Sequence, residues 1–172
     1  MNGISTKRKV LFVLFLVLTV VWMTVIYRLS DSTADESKKH SRGISEKVAL
    51  TIEPSYEIPE KYKEGDFFYY VVTAVRKSAH VTAYAILGVL VYFCVSSPYA
   101  FPKKHLVPMI VSVPVCVLYA ISDEIHQNFI EGRCGRMSDV MLDSLGIAIG
   151  TLVAICFTLL YKRIHERKNN NE

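Results

Sequence analysis

Val10–Ile26 reads VLFVLFLVLTVVWMTVI, a run without a single Asp, Glu, Lys or Arg. A helix in water needs a polar face, and nothing in this stretch supplies one. Three further windows repeat the pattern: Val81–Val95, Leu106–Ile121 and Ser144–Tyr161. All 20 Lys and Arg and all 16 Asp and Glu of the 172-residue chain therefore fall outside these windows. A charged content of 21% would suit a soluble domain, but this distribution excludes one, along with a disordered tail or a secreted disulfide scaffold. At ~1.5 Å per residue the windows give roughly 22 to 27 Å, which polar ends extend to the ~30 Å of a hydrocarbon core. The expected fold is all-α, an integral membrane bundle of about four transmembrane helices over 10–27, 81–95, 106–121 and 144–161.

The first span follows Lys7, Arg8 and Lys9 and ends in Trp22 and Tyr27, aromatics suited to the far interface. Ser32-Thr33-Ala34 resembles the small-residue cleavage site of a signal peptide, but the apolar run exceeds the usual h-region and favours a retained anchor. With four crossings, the segments 1–9, 96–105 and 162–172 share one side. They hold Lys7, Arg8, Lys9, Lys103, Lys104, Lys162, Arg163, Arg167 and Lys168 against Glu166 and Glu172 alone. The positive-inside rule then places both termini in the cytoplasm and the segments 28–80 and 122–143 outside. The formal net charge of +4 reflects topology, and no aromatic-basic groove for nucleic acid is present.

Between the spans, 28–66 is polar and carries Pro54 and Pro59, with Val48, Leu50 and Ile52 suggesting a short strand in an outer loop. Residues 67–75 are apolar and aromatic. One helix over 67–95 would measure about 43 Å, so an interfacial helix over 67–75 is expected, with a long tilted helix as the alternative. Pro114 should kink the third span. Gly146 and Gly150, with Ala154 a turn further on, form a small-residue face expected to pack inside the bundle, with homodimerisation as the alternative. Cys94, Cys116 and Cys156 lie in apolar windows and Cys134 in an outer loop, a spacing that fits neither zinc nor a disulfide framework.

Polar chemistry collects at the outer ends of spans two to four: Arg76, Lys77 and His80; Asp123, Glu124, His126 and Gln127; then Arg133, Arg136, Asp139 and Asp143. Helical spacing puts Arg76, His80 and Tyr84 on one face, sets Asp123 against His126 and Gln127, and stacks Asp139 on Asp143. Three helix ends can thus converge on one pocket. Three readings of it stand open. His80, His126, Asp123 and Asp139 are metal-ligand types, but the acids and bases balance, leaving no charge for a cation, so no metal or cofactor is expected. A self-neutralising ion-pair network would explain the balance, since charge near lipid is expensive unless paired. Alternatively, guanidinium groups grip phosphate and His exchanges a proton near neutral pH, as a site for a phosphate-bearing envelope lipid requires. Ser78 and Ser122 lie near histidines without forming a recognisable nucleophile motif, so enzymatic activity stays undecided. The tyrosines at 84, 92, 119 and 161 read as packing and interface residues, and His40, His105 and His165 as solvated flanks.

The stretches Arg76-Lys77-Ser78-Ala79-His80-Val81-Thr82-Ala83-Tyr84-Ala85-Ile86-Leu87-Gly88 and Tyr119-Ala120-Ile121-Ser122-Asp123-Glu124-Ile125-His126-Gln127 resemble the two signature stretches of the VanZ-like membrane protein family. Glu131-Gly132-Arg133 through Asp139, Asp143, Gly146 and Gly150 continues the resemblance, as does Trp22-Met23 through Ser30, giving one VanZ-like domain over about 20–161. The resemblance implies a small multi-spanning protein of the bacterial cytoplasmic membrane. The family is named for a member that lowers sensitivity to the lipid-tailed glycopeptide teicoplanin. The implied partners are the bilayer and a lipid-linked cell-wall precursor or glycopeptide; the resemblance supplies neither a settled reaction nor an oligomeric state. Cys134 and Met137 occupy positions expected to vary.

Overall fold

The structure, a computed structural model, describes residues 6–97 and 106–169. Lys103 and Lys104, which enter the orientation argument, lie outside these residues, as do most of the 96–105 segment and the extreme termini. Among the described residues five helices make up the fold: α1 (Thr6–Ser30), α2 (Ala34–Ile52), α3 (Phe67–Ser96), α4 (Leu106–Gln127) and α5 (Met137–Asn169). All but α2 are long and apolar enough to cross a bilayer, and the chain is an all-helical membrane protein. The large apolar side chains of α1, α4 and α5 point outward, among them Val13, Val17, Leu118, Leu152 and Phe157, as expected where lipid is the solvent.

Two expectations are corrected. Val48, Leu50 and Ile52 lie on the helix α2, and no strand forms among the described residues. Thr33 and Glu36 nucleate α2 as a capping box: the Thr33 hydroxyl accepts from the Glu36 N–H, and the Thr33 N–H donates to the Glu36 carboxylate at 3.0 Å. Those hydrogen bonds hold the Glu36 carboxyl below its ordinary pKa. The second correction concerns 67–75, which is not a separate helix. It joins the second span in one continuous helix of 30 residues, about 45 Å long, so about 15 Å exceeds the hydrocarbon thickness. The excess is stabilised because the first turns of α3 have a core of their own, in which Phe68, Val71 and Val72 bury against Ala49 of α2 and the loop residues Tyr56, Ile58 and Tyr62. Arg42 pins that loop, donating to the Pro59 and Glu60 carbonyls at 2.9 and 3.0 Å.

Helix α3 is the hub, touching α1, α2, α4 and α5. Its contact with α5 is the closest. A Cβ placed on Gly146 or Gly150 would meet the carbonyl of Val81 or Ala85, and one on Gly88 would lie 2.8 Å from the carbonyl of Ile147. The small-residue face is thus occupied within the bundle. The pairing of Val81 with Gly146 and of Ala85 with Gly150 makes α3 and α5 parallel. Helix α1 runs against α3, the Trp22 indole donating to the Ala83 carbonyl at 2.9 Å and Phe15 stacking on Phe93. Helix α4 runs with α1, the Tyr119 hydroxyl donating to the Met23 carbonyl at 2.7 Å. Pro114 sits inside α4, which continues past it. This alternation brings the C-terminal ends of α1 and α4 beside the N-terminal halves of α3 and α5, with the first turns of α1 and the last turns of α5 at the opposite end.

Candidate functional site

The shared end of the bundle buries polar groups from all four long helices. Asp123 of α4 is 3% exposed, and its Oδ2 accepts from the Ser30 hydroxyl of α1 at 2.7 Å and the Tyr84 hydroxyl of α3 at 3.1 Å. The Gln127 amide donates to Ser30 Oγ at 3.2 Å and lies 3.5 Å from Asp123, so a hydrogen-bonded chain ties α1, α3 and α4 together. Every one of these partners is neutral. Asp123 Oδ1 is buried with no hydrogen-bond partner.

Glu124, one residue on, faces another way and serves the α4–α5 turn. Its Oε2 accepts the Arg136 N–H at 2.9 Å, at the start of α5, and its Oε1 accepts from Gln127 at 3.1 Å. Gly132 turns the chain with φ 72°, and Asn128 bridges the Glu124 carbonyl and the Gly135 N–H at 3.2 and 2.9 Å. A Cβ at Gly135 would meet the Glu124 backbone carbonyl, so the turn closes tightly on the last turn of α4.

Asp143 of α5 is fully buried, and neither of its oxygens has a hydrogen-bond partner. Among the described residues the basic group paired with it is His80 of α3, with Nδ1 3.6 Å from Oδ1. That separation is slightly longer than a hydrogen bond, and it is an ion pair only when the imidazole is protonated. Beside the pair lies a cavity of about 20 Å³, the size of one water site, bordered by Arg76, Gln127 and Arg133.

The four bases do not neutralise these acids. Among the described residues no ion pair joins Arg76, Lys77, Arg133 or Arg136 to any carboxylate, so of the three open readings the self-neutralising network lacks the pairs it would be built from. Equal numbers of acids and bases conceal a spatial separation: Asp123, Glu124 and Asp143 point inward while the bases line a bowl of about 380 Å³ outside them. Asp139 is the one acid bordering that bowl. Arg133 makes only long contacts, to Gln127 Oε1 and the Leu29 carbonyl, both at 3.4 Å, and its Nε is buried without a partner. Burial first, and then repulsion from Arg76, lower its pKa from the ordinary arginine value. Arg76 and Arg133 thus border the same bowl, and neither is ion-paired to a carboxylate among the described residues.

His126 does not join the cluster. Its Nε2 lies 3.1 Å from Asp31 Oδ1 and its ring stacks on Tyr27 with centroids 4.8 Å apart, toward the end of α1. The expected convergence of two histidines is therefore replaced by two separate pairs, His80 with Asp143 and His126 with Asp31. Ser122 donates to the Tyr119 carbonyl at 2.7 Å within its own helix and faces outward. Among the described residues no three His, Cys, Asp or Glu side chains are grouped to hold a metal ion. Ser30 and the Tyr84 hydroxyl were missed as polar partners of Asp123, because a serine and a tyrosine at helix ends carry no signal of what they face across the bundle. His40 was missed as well: it borders a cavity of about 290 Å³ together with Arg76, His80, Tyr84 and Arg133.

A family model described as VanZ/LLP1 matches residues 15–160, which includes every residue of this cluster. No curated protein and no solved structure matches the chain.

Proposed function

The chain belongs to the VanZ/LLP1 family, and from that premise we propose that it acts in the bacterial cytoplasmic membrane to alter susceptibility to glycopeptides such as teicoplanin. In this reading both termini are cytoplasmic and the polar end of the bundle faces outward, where a glycopeptide meets lipid-linked cell-wall precursors. The working site comprises Arg76, Lys77, His80, Asp123, Gln127, Arg133, Arg136, Asp139 and Asp143, with Glu124 shaping the turn beneath it. The observation that carries the reading is the bowl of four bases without carboxylate partners above buried, incompletely satisfied Asp123 and Asp143. A bundle selected for stability alone would pair such groups or replace them with apolar ones.

The experiment is teicoplanin susceptibility of a deletion strain complemented with wild type, His80→Ala or Asp143→Asn, with membrane abundance measured for each. Wild type should restore the phenotype, and the variants should insert normally without restoring it. Full complementation by both variants would show that this cluster does not produce the effect.

A second reading, an enzyme acting on a lipid-linked phosphate at the same face, is favoured by the His80–Asp143 pair. A fully buried carboxylate 3.6 Å from an imidazole nitrogen can orient the ring for proton transfer. Phosphate released from a lipid-linked precursor by the purified protein would mark this activity, and His80→Ala should abolish it. A non-catalytic assembly scaffold is the reading left if neither the phenotype nor turnover depends on the cluster.

A further inference from the structure

Three cavities at the polar end share walls. An apolar groove of about 820 Å³ runs between α1, α2 and α3, bordered by Trp22, Val25, Val48, Val71 and Ile86. It merges with the 290 Å³ cavity through Ile26, Leu29, Ile44, Val75, Ala79 and Ala83, which border both. That cavity in turn shares Ser41, Arg76 and Arg133 with the cationic bowl. A long apolar surface therefore leads past two guanidinium groups into a pocket with four bases and one acid.

The covering helix sharpens this arrangement. Helix α2 buries Ala49 against α3 yet leaves Ile44 60% and Ile52 62% exposed, and both border the groove. A helix resting on a membrane surface for its own sake would direct such residues at the bilayer; here they roof a channel that also has walls from α1 and α3. The occupant must be apolar along about the length of the groove and anionic at one end. A bare anion leaves the apolar walls unexplained, and a neutral lipid leaves the bases unexplained.

We infer that the groove holds a single phosphate-bearing lipid, with its phosphate in the bowl between Arg76 and Arg133 and one hydrocarbon chain lying along α3 beneath α2. Lys77 and Arg136, both exposed at the rim, complement further negative charge on the headgroup. The inference deepens the proposed function by naming the ligand class of the same site, and it rests on that reading only for its biological consequence.

Trp22 is the chain's single tryptophan and borders the groove, so it reports occupancy directly. Full-length protein in nonionic detergent micelles would be titrated with phosphatidic acid carrying brominated acyl chains, and separately with phosphatidylcholine carrying the same chains. Phosphatidic acid should quench Trp22 saturably and about tenfold more tightly than phosphatidylcholine, the scale of one or two charge-assisted hydrogen bonds. Arg76→Gln with Arg133→Gln should erase that preference. Lys77→Gln with Arg136→Gln removes only exposed side chains, so it leaves folding intact and should weaken the preference about threefold. Inorganic phosphate in excess should not displace the brominated lipid. Equal or non-saturating quenching by the two lipids would overturn the inference, and so would displacement by phosphate alone, which would mark a free-anion site. If the arginine variant loses the lipid preference but cells keep wild-type teicoplanin susceptibility, the lipid site stands and the glycopeptide reading fails. The reverse pattern would leave the glycopeptide reading and remove the lipid site.

Discussion

Asp143 and Glu124 are both buried carboxylates, yet they should respond to substitution in opposite ways. Asp143 accepts no hydrogen bond, so Asp143→Asn removes a buried charge while leaving the shape unchanged. The variant should be at least as abundant and heat-resistant in detergent as wild type. Glu124→Ala leaves the part-buried Arg136 N–H without its acceptor, at a cost of about 1–3 kcal/mol, and takes one acceptor from the Gln127 amide, which keeps Ser30 Oγ. It should lower the thermal midpoint clearly, and an unchanged midpoint would show that the turn does not depend on the carboxylate. His126→Ala loses a half-exposed contact with Asp31 and a ring stack, worth about 1 kcal/mol or less, and should complement a deletion strain where His80→Ala fails. Sequence spacing could place Arg76, His80 and Tyr84 on one face, because helical periodicity is local. It could not decide that His80 meets Asp143 while His126 turns to Asp31, because that choice depends on how α1 and α5 dock. Counting charges misled for the same reason: a sum contains no directions.

The four spanning elements were legible because an uncharged run of this length admits few alternatives in lipid. Helix α2 was not. Its apolar positions Val48, Leu50 and Ile52 alternate as a strand's do, and the capping box formed by Thr33 and Glu36 was the overlooked signal that a helix begins there. Length alone argues against a continuous α3, with the long helix as the alternative, because a helix longer than the bilayer needs other partners, and those partners are α2 and the loop after it. The glycine face on α5 meets the backbone of α3 inside the bundle, since small residues at four-residue spacing admit a backbone. Gly150→Ala should therefore drive a methyl group into the Ala85 carbonyl and destabilise the bundle by about 1–3 kcal/mol. Gly43→Ala on α2 meets nothing within 4 Å and should stabilise by about 0.5–1 kcal/mol. A thermal midpoint in detergent that does not fall for Gly150→Ala would contradict the α3–α5 crossing described above, and one that does not rise for Gly43→Ala would contradict open space beside α2.

At the scale of the molecule, the alternating helices put Ser30, His80, Asp123 and Asp143 at one end and the start of α1 and the last turns of α5 at the other, so placing one end in a compartment places both. The end with the termini carries Lys7, Arg8, Lys9, Lys162, Arg163 and Arg167 with Glu166 as the acid among the described residues, whereas the opposite end mixes both signs. A membrane that retains basic flanks on its cytoplasmic side would hold the polar cluster outside. Native Cys134 tests this without redesign, because it is exposed in the α4–α5 turn while Cys94 and Cys116 are buried and Cys156 lies in the apolar part of α5. In intact cells a membrane-impermeant thiol reagent should label wild type, and Cys134→Ser should abolish that signal. Adding Ser55→Cys to the Cys134→Ser background should restore labelling, since Ser55 is exposed in the loop after α2, whereas Lys103→Cys should react only after the cells are opened. Labelling of position 103 but not of 55 or 134 in intact cells would invert the molecule, and the lipid groove would then have to draw its occupant from the cytoplasmic leaflet.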